Sequence, residues 1–136
     1  MSTVYLDTCT IIYLVEAGPT FHEAALASLA PYQADSNAVV VSSRLARLEC
    51  RVKPLRDGNA ALLAVYDGFF HARRMVLTEI TASVIERATD LRARYRVRTP
   101  DAIHLATAIE AQATVFITGD ATLTHCKELH VHVIER

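Results

Sequence analysis

The stretch V-Y-L-D-T-C, residues 4–9, shows the pattern that decides the fold. Its apolar run, Val4 to Leu6, predicts a short strand that stops at Asp7. An apolar-rich helix is expected to follow from Thr8 to Glu16, and Gly18-Pro19 is a strong stop signal for it. The chain therefore passes from a strand through an acidic residue directly into a helix.

Four further runs of apolar residues extend this pattern along the chain. They predict strands over Ala38–Val41, Met75–Leu77, Val115–Ile117 and Val131–Val133. Helices are predicted between them over residues 20–32, 43–52 and 60–71, after Thr81, and from Thr99 onward. Strands that alternate with helices predict one three-layer α/β/α domain over residues 1–136, with a short, mostly parallel central sheet flanked by helices.

Individual residues predict where these helices begin and end. Thr20 and Glu23 are expected to form a capping box at the start of the second helix. The third helix is expected to end before Pro54, because proline breaks helices. Thr99 is expected to cap a helix in which Pro100 is the first residue.

Length and composition favour one globular domain. The chain has 136 residues, 51% of them hydrophobic, and a net charge of −1. Its longest nearly pure apolar run, Ala60 to Tyr66, is too short to span a membrane, and no signal peptide is recognised. Cys9, Cys50 and Cys126 show no C-x-x-C spacing, so we expect free thiols in a reducing cytoplasm.

Three acidic residues stand at the ends of predicted elements. Asp7 and Asp120 each follow a strand, at the sheet edge where ligands bind in parallel α/β proteins. The alternative for each is a structural role as a turn or N-cap residue. Asp101 lies in the first turn of a helix, where any acid is favoured, but also beside that helix's apolar face.

A purely structural role is harder to assign to Glu49 than to the other three acids. Leu45, Leu48, Glu49 and Val52 share one face of the third helix, so a carboxylate would lie on the stripe that packs against the sheet. Burying that charge is costly without a partner or a metal ion. The alternatives are an ion pair with an arginine, or a stripe that turns outward at this point.

Convergence of the four carboxylates would favour either protonation or a bound cation. Two carboxylates about 5 Å apart disfavour each other by about 3 kcal/mol at an effective dielectric of about 20. Hard oxygen donors without an obligatory His or Cys favour Mg²⁺ or Mn²⁺ over Zn²⁺. Because Mg²⁺ commonly couples protein carboxylates to phosphates, the residues predict a divalent-metal site for phosphate chemistry.

Four stretches of the sequence resemble the PIN-domain nucleases and, among them, the small VapC-type toxins of prokaryotic toxin–antitoxin pairs. They are V-Y-L-D-T-C (Val4 to Cys9), S-S-R-L-A-R-L-E (Ser42 to Glu49), T-P-D-A-I-H-L-A-T-A (Thr99 to Ala108) and T-G-D-A-T-L (Thr118 to Leu123). Together they extend over nearly the whole chain in the family's order. The resemblance implies a PIN-like fold and a metal-dependent endoribonuclease whose products carry a 5′-phosphate and a 3′-hydroxyl.

The resemblance also assigns roles to single residues. The catalytic, metal-binding acids would be Asp7, Glu49, Asp101 and Asp120, with Mg²⁺ or Mn²⁺ as the cofactor. The small hydroxyl residues that family members place near the metal would be Thr8 and Thr118. Gly119 is a departure, because many relatives carry a bulkier residue there, and it makes Asp120 the least secure ligand. Expected partners are an RNA substrate, a cognate antitoxin protein and a second copy in a homodimer.

Basic and histidine-rich stretches leave alternatives open. Arg44 and Arg47 either border the crevice and bind RNA phosphates or form a solvated helix face. Arg92 to Arg98 are interpreted as serving a helix C-terminus and solubility, and His104 as a packed or partly exposed helix residue. A zinc site is a further alternative, although its residues match no standard zinc spacing; they are His125, Cys126, His130 and His132.

Other functions also stay open at this point. A PIN-like nuclease of general RNA processing and a non-catalytic PIN-like module that binds RNA or protein are both compatible with the resemblance. A receiver-like phosphoacceptor domain has a similar length and also gathers aspartates at strand ends. It would need a lysine beyond a late strand, and neither Lys53 nor Lys127 follows one.

Overall fold

The central sheet is parallel throughout, and its first strand lies in the middle. The computed structural model describes residues 2–16 and 18–135. The strands in these residues are β1 (Thr3–Leu6), β2 (Val39–Ser43), β3 (Met75–Thr78), β4 (Val115–Thr118) and β5 (Val131–Val133). Their order is β3-β2-β1-β4-β5, and every neighbouring pair is parallel. The predicted sheet is confirmed.

Helices cover both faces of this sheet. They are α1 (Thr8–Val15), α2 (Pro19–Gln33), α3 (Arg44–Arg56), α4 (Ala60–Phe70), α5 (Ala82–Tyr95) and α6 (Thr99–Glu110), with a 3₁₀ helix over Ala121–His125. Successive strand residues point to opposite faces, so Val4 and Leu6 pack with Ile11 on one side and Tyr5 packs with Leu105 on the other. Three layers result, as predicted. None of the helices in the described ranges has the length and apolar character needed to cross a bilayer.

The strand order reverses between β1 and β4. The chain adds β2 and then β3 on one side of β1, and places β4 and β5 on the other side. In open α/β sheets, such a reversal leaves a crevice at the C-terminal strand ends, and ligands bind there. Asp7 directly follows β1, and Asp120 lies just beyond β4, so both acids stand at this crevice.

Two predicted helix starts are wrong by one or two residues. Helix α2 begins at Pro19 after the N-cap residue Gly18, so Thr20 and Glu23 form no capping box. Helix α6 begins at Thr99, and its N-cap is Arg98. Each helix has a proline within its first two positions, where the fixed φ angle and missing N–H suit a helix start.

Helix α3 runs through Pro54 to Arg56, whereas the sequence predicts an end before Pro54. Pro54 is buried, and the next turn still closes because the Asp57 N–H donates to the Lys53 carbonyl at 2.9 Å. Packing of the proline ring therefore offsets the loss of one helical hydrogen bond.

The predicted apolar stripe of α3 is also wrong. Leu48 is 58% exposed and Val52 is 48% exposed, whereas the smaller Ala46 and Cys50 are buried. The packed face of α3 is thus built from small side chains, which allow a close approach to neighbouring elements. The stripe turns outward, as one of the sequence-based alternatives holds, and Glu49 lies half-buried at the edge of the packed face.

Candidate active site

The four predicted acidic residues line one cleft at the C-terminal edge of the sheet. This cleft has a volume of about 470 Å³. It receives Asp7 from the β1–α1 junction, Glu49 from α3, Asp101 from the first turn of α6 and Asp120 from the start of the 3₁₀ helix. Residues that are distant in sequence thus meet at the point where the strand order reverses.

Asp7 is the most buried of these acids. Its Oδ1 accepts a hydrogen bond from the Thr10 backbone N–H at 2.9 Å, and its Oδ2 accepts one from the Thr118 hydroxyl at 2.5 Å. The first bond makes Asp7 the N-cap of α1, so the structural role considered from the sequence is present in the same residue that lines the cleft. Burial raises the pKa of the Asp7 carboxyl, although both hydrogen bonds oppose part of that rise.

Glu49 accepts two side-chain hydrogen bonds on one oxygen. The Thr8 hydroxyl donates to Oε1 at 2.6 Å, and His104 Nε2 lies 2.8 Å from the same atom. Burial by itself would raise the pKa of Glu49, but the contacts with His104 and Thr8 outweigh it and hold the pKa below its ordinary value. Glu49 is therefore kept ionised by its neighbours, whereas burial works against the ionised form of Asp7.

His104 is buried and links Glu49 to the protein interior. Its Nδ1 lies 2.7 Å from the Tyr5 hydroxyl, which in turn donates to Ser43 Oγ at 3.0 Å. This row of polar groups runs from the cleft to the centre of the sheet. The sequence-based interpretation of His104 was a packed or partly exposed helix residue. The signal for its role is its position three residues after Asp101, which places both residues on one side of α6.

Asp101 and Asp120 contact residues that are close to them in sequence. Asp101 Oδ2 lies 3.4 Å from the Arg98 guanidinium. Asp120 Oδ1 accepts hydrogen bonds from the Thr122 backbone N–H at 2.9 Å and from the Thr122 hydroxyl at 2.7 Å. The Asp120 N–H donates to Thr118 Oγ1 at 3.1 Å, so one threonine contacts both the first and the last acid.

Gly119 lies where a side chain would meet two residues of α1. A Cβ atom at this position would come within 2.9 Å of Cys9 Sγ and within 2.9 Å of Tyr13 Cε2. Both of these residues line the cleft. The glycine that departs from the family pattern therefore makes room for Tyr13 and Cys9 beside the acids.

The arginine at the cleft is not one of those predicted to bind RNA. Arg44 pairs with Glu79 at 2.8 Å, and Arg47 lies 3.8 Å from Asp67. Neither residue lines the cleft, whereas Arg98 does. Because α6 begins at Thr99, the side chain of Arg98 stands beside the first turn of that helix and its acid.

The chemistry of the cleft fits a hydrated divalent ion. Within residues 2–16 and 18–135, no three Asp, Glu, His or Cys side chains are close enough together to hold a metal ion. This also applies to the alternative zinc residues, of which Cys126 is buried and His132 contacts Ser28 of α2. The cleft nevertheless gathers four hard carboxylate groups, and Mg²⁺ usually keeps several of its waters in protein sites.

Comparison with known proteins shows one matching family and several similar folds. A family model described as PIN domain matches residues 4–129. No curated protein matches this chain significantly.

Three solved structures illustrate the likeness in fold. A chain of VapBC2 from Rickettsia felis, bound to a DNA fragment from its promoter, is 16% identical, with a TM-score of 0.72 over 98% of this chain and 99% of that one. Mycobacterium tuberculosis VapC20, described as a toxin that cleaves the sarcin–ricin loop, is 18% identical, with a TM-score of 0.73 over 91% and 95%. A toxin–antitoxin complex from Klebsiella pneumoniae is 20% identical, with a TM-score of 0.68 over 98% of each chain.

Proposed function

The chain belongs to the PIN-domain family, and we propose that it is a divalent-metal-dependent endoribonuclease that acts as the toxin of a toxin–antitoxin pair. The observation that carries this proposal is the single cleft lined by carboxylates from four separate elements. Hydrolysis of a phosphodiester requires that developing negative charge be offset, and these oxygens are of the type that binds a cation able to do so.

Four residues would hold Mg²⁺ or Mn²⁺ through carboxylate oxygens and intervening waters; they are Asp7, Glu49, Asp101 and Asp120. A bound divalent ion lowers the pKa of water and polarises phosphoryl oxygens. The expected products carry a 5′-phosphate and a 3′-hydroxyl. The role of this chain's own side chains is to present ionised oxygens in fixed positions.

Hydrogen bonds from side chains and one backbone N–H fix the carboxylates of Asp7 and Glu49. Thr118 and the Thr10 N–H hold both oxygens of Asp7, and Thr8 and His104 hold Oε1 of Glu49. Burial opposes the ionised form of Asp7, whereas the neighbours of Glu49 favour its ionised form. A cation held by these carboxylates would favour the ionised form of Asp7 and so offset the effect of burial.

The toxin assignment is supported by the likeness in fold to a structure described as a toxin–antitoxin complex and to another described as a toxin. The RNA assignment is supported by the family and by the similarity to a toxin described as cleaving the sarcin–ricin loop. An antitoxin protein, a homodimer and a cytoplasmic location belong to the same proposal.

The experiment that tests the nuclease proposal is RNA cleavage by the purified protein. Cleavage is expected with MgCl₂ or MnCl₂, and it should stop when EDTA is added. Asp7→Asn, purified in parallel as a control for contaminating nucleases, should cut at least about 100-fold more slowly. Equal cleavage by the variant and the native protein would show that this cleft is not the active site.

Two further measurements test the toxin and dimer parts. Induced expression of the native chain should arrest bacterial growth, whereas expression of Asp7→Asn should not. Equal growth of the two cultures would favour general RNA processing. Light scattering should give the mass of a dimer, and a monomer at every workable concentration would contradict that part.

A further inference from the structure

A second groove opens beside the acidic cleft and shares three residues with it. Arg98, Asp101 and Asp120 line both depressions. The second one continues past Arg96 and His125 and has a volume of about 430 Å³. We call it the arginine groove. Together the two depressions form one surface that leads away from the acids.

The excess of negative charge falls along this surface. Four carboxylates and one arginine line the cleft, whereas two arginines and two carboxylates line the arginine groove. Arg98 reaches Asp101 at 3.4 Å, but its side chain is 83% exposed. Arg96 forms no ion pair with any residue in the ranges 2–16 and 18–135. Both guanidinium groups are therefore accessible to an anion.

The backbone conformation of Arg96 is a second observation that favours a functional role for this residue. Arg96 ends α5 in the left-handed region, with φ at 56°. A residue with a side chain holds this conformation at a cost of about 1 kcal/mol, whereas glycine holds it without strain. An arginine at a position that suits glycine favours a function for its side chain.

We propose that the arginine groove binds phosphates of the RNA strand on one side of the bond that is cut. This inference rests on the proposed ribonuclease function. Four carboxylates repel an approaching RNA strand unless cationic groups lie nearby. One guanidinium group can donate two hydrogen bonds to the oxygens of one phosphate. Arg96 and Arg98 would therefore hold the flanking backbone while the acidic cleft receives the scissile phosphate.

RNA binding to an inactive background tests the groove directly. In Asp7→Asn protein, we would measure binding of a fluorescently labelled single-stranded RNA of mixed sequence over a range of salt concentrations. Adding Arg96→Ala and Arg98→Ala should weaken binding about 10-fold or more. It should also reduce the slope of log affinity against log salt by about 1.4, since each phosphate contact to a single strand contributes about 0.7. Arg96→Lys with Arg98→Lys should keep most of that slope.

A control with the same change in net charge separates this site from general electrostatics. Lys53 and Arg73 are exposed, line neither depression and lie on α3 and before β3, respectively. Lys53→Ala with Arg73→Ala should change RNA affinity less than about 2-fold. Equal effects of the two double variants would overturn the proposal. So would normal RNA binding by the arginine double variant together with weakened binding of an acidic partner protein.

Cleavage assays with the native Asp7 distinguish failure of this inference from failure of the proposed function. If the native protein cuts RNA with Mg²⁺ and the double arginine variant binds and cuts equally well, the groove proposal fails alone. If the native protein cuts no RNA, the proposed function fails, while the binding measurement still reports on the groove. Thermal unfolding of each variant checks that the fold is kept.

Discussion

His104 Nε2 lies 2.8 Å from Glu49 Oε1, although the two residues are 55 positions apart in the chain. The contact joins α6 to α3 across the cleft, and the histidine is buried while the glutamate is partly open. One of the four acids is thus positioned by an interior side chain that is itself held by Tyr5.

Replacing His104 should weaken metal binding by the folded protein. His104→Ala removes the partner that fixes Glu49, and losses of this kind typically cost about 10- to 100-fold in metal affinity or activity. Titration of the purified protein with Mn²⁺, followed by electron paramagnetic resonance, measures the affinity without RNA. His104→Gln keeps an amide N–H near Glu49 and should restore part of it. Unchanged Mn²⁺ affinity in His104→Ala would contradict this role.

Tyr5→Phe is the matched control for the histidine. It removes the hydroxyl behind His104 but leaves the imidazole and Glu49 in place. We expect a loss of about 1 kcal/mol in the free energy of unfolding and a smaller change in Mn²⁺ affinity than His104→Ala causes. Urea denaturation gives the first quantity and the same Mn²⁺ titration gives the second.

Asp7→Asn should stabilise the metal-free protein at neutral pH. Burial raises the pKa of Asp7 in the folded state, so the folded protein holds this proton more tightly than the unfolded chain does. That contribution is fully present below the unfolded pKa and is lost as the pH rises through the folded pKa. As the pH rises from acid to neutral, the free energy of unfolding of the native protein should therefore drop below that of the variant.

Thermal unfolding in EDTA from pH 4 to pH 8 measures this difference. A difference of about 1 kcal/mol in the free energy of unfolding would separate the two thermal midpoints by roughly 3 °C for a chain of this size. The gap should close toward acid pH, and Mg²⁺ should stabilise the native protein more than the variant. A variant that is less stable at pH 8, or a gap that does not depend on pH, would refute the argument.

Thr118→Val should impair the cleft as well as the fold. The Thr118 hydroxyl donates to Asp7 and accepts from the Asp120 N–H, so its removal leaves both acids less well fixed. Loss of a buried hydrogen-bonding group costs about 1–3 kcal/mol, and RNA cleavage should fall about 10-fold or more. Thr107→Val is the control, because the buried Thr107 hydroxyl bonds only the Ile103 carbonyl among the described residues. Comparable activity losses in both variants would show that the Thr118 effect is not specific to the cleft.

Gly119→Ala should destabilise the protein, whereas Gly68→Ala should not. The added methyl group at Gly119 would lie 2.9 Å from Cys9 Sγ and from Tyr13 Cε2, and overpacking of this kind costs about 1–3 kcal/mol. Gly68 lies inside α4 with nothing within 4 Å of a Cβ, so alanine there should stabilise by about 0.5–1 kcal/mol. Denaturation midpoints of the two variants should therefore move in opposite directions.

Elements that depend on local sequence could be predicted, and so could the acids at their ends. The run Val4 to Leu6 stops at Asp7, and the run before Thr118 stops shortly before Asp120, so both acids were expected at the same sheet edge. In a parallel sheet, this edge is shared by all strands, and convergence follows from topology. Local pattern was sufficient because strand ends set the positions of these side chains.

The orientation of α3 and the role of His104 depend on tertiary packing and could not be predicted in this way. Leu48 and Val52 are large and apolar, yet the smaller Ala46 and Cys50 occupy the packed face. The partner of Glu49 lies on a different helix, so no window of sequence contains both residues. Arg98 was interpreted as part of a basic cluster that serves a helix C-terminus, whereas it is the N-cap residue of the next helix, α6, and lies 3.4 Å from Asp101.

The central position of β1 affects when the cleft can exist during translation. Asp7 directly follows β1, but Thr118, which donates a hydrogen bond to Asp7, lies 111 residues further along the chain. A nascent chain on the ribosome therefore lacks an assembled cleft until β4 has been made and has paired with β1. Any inhibitor that recognises the assembled site therefore meets a chain in which β4 has already paired with β1.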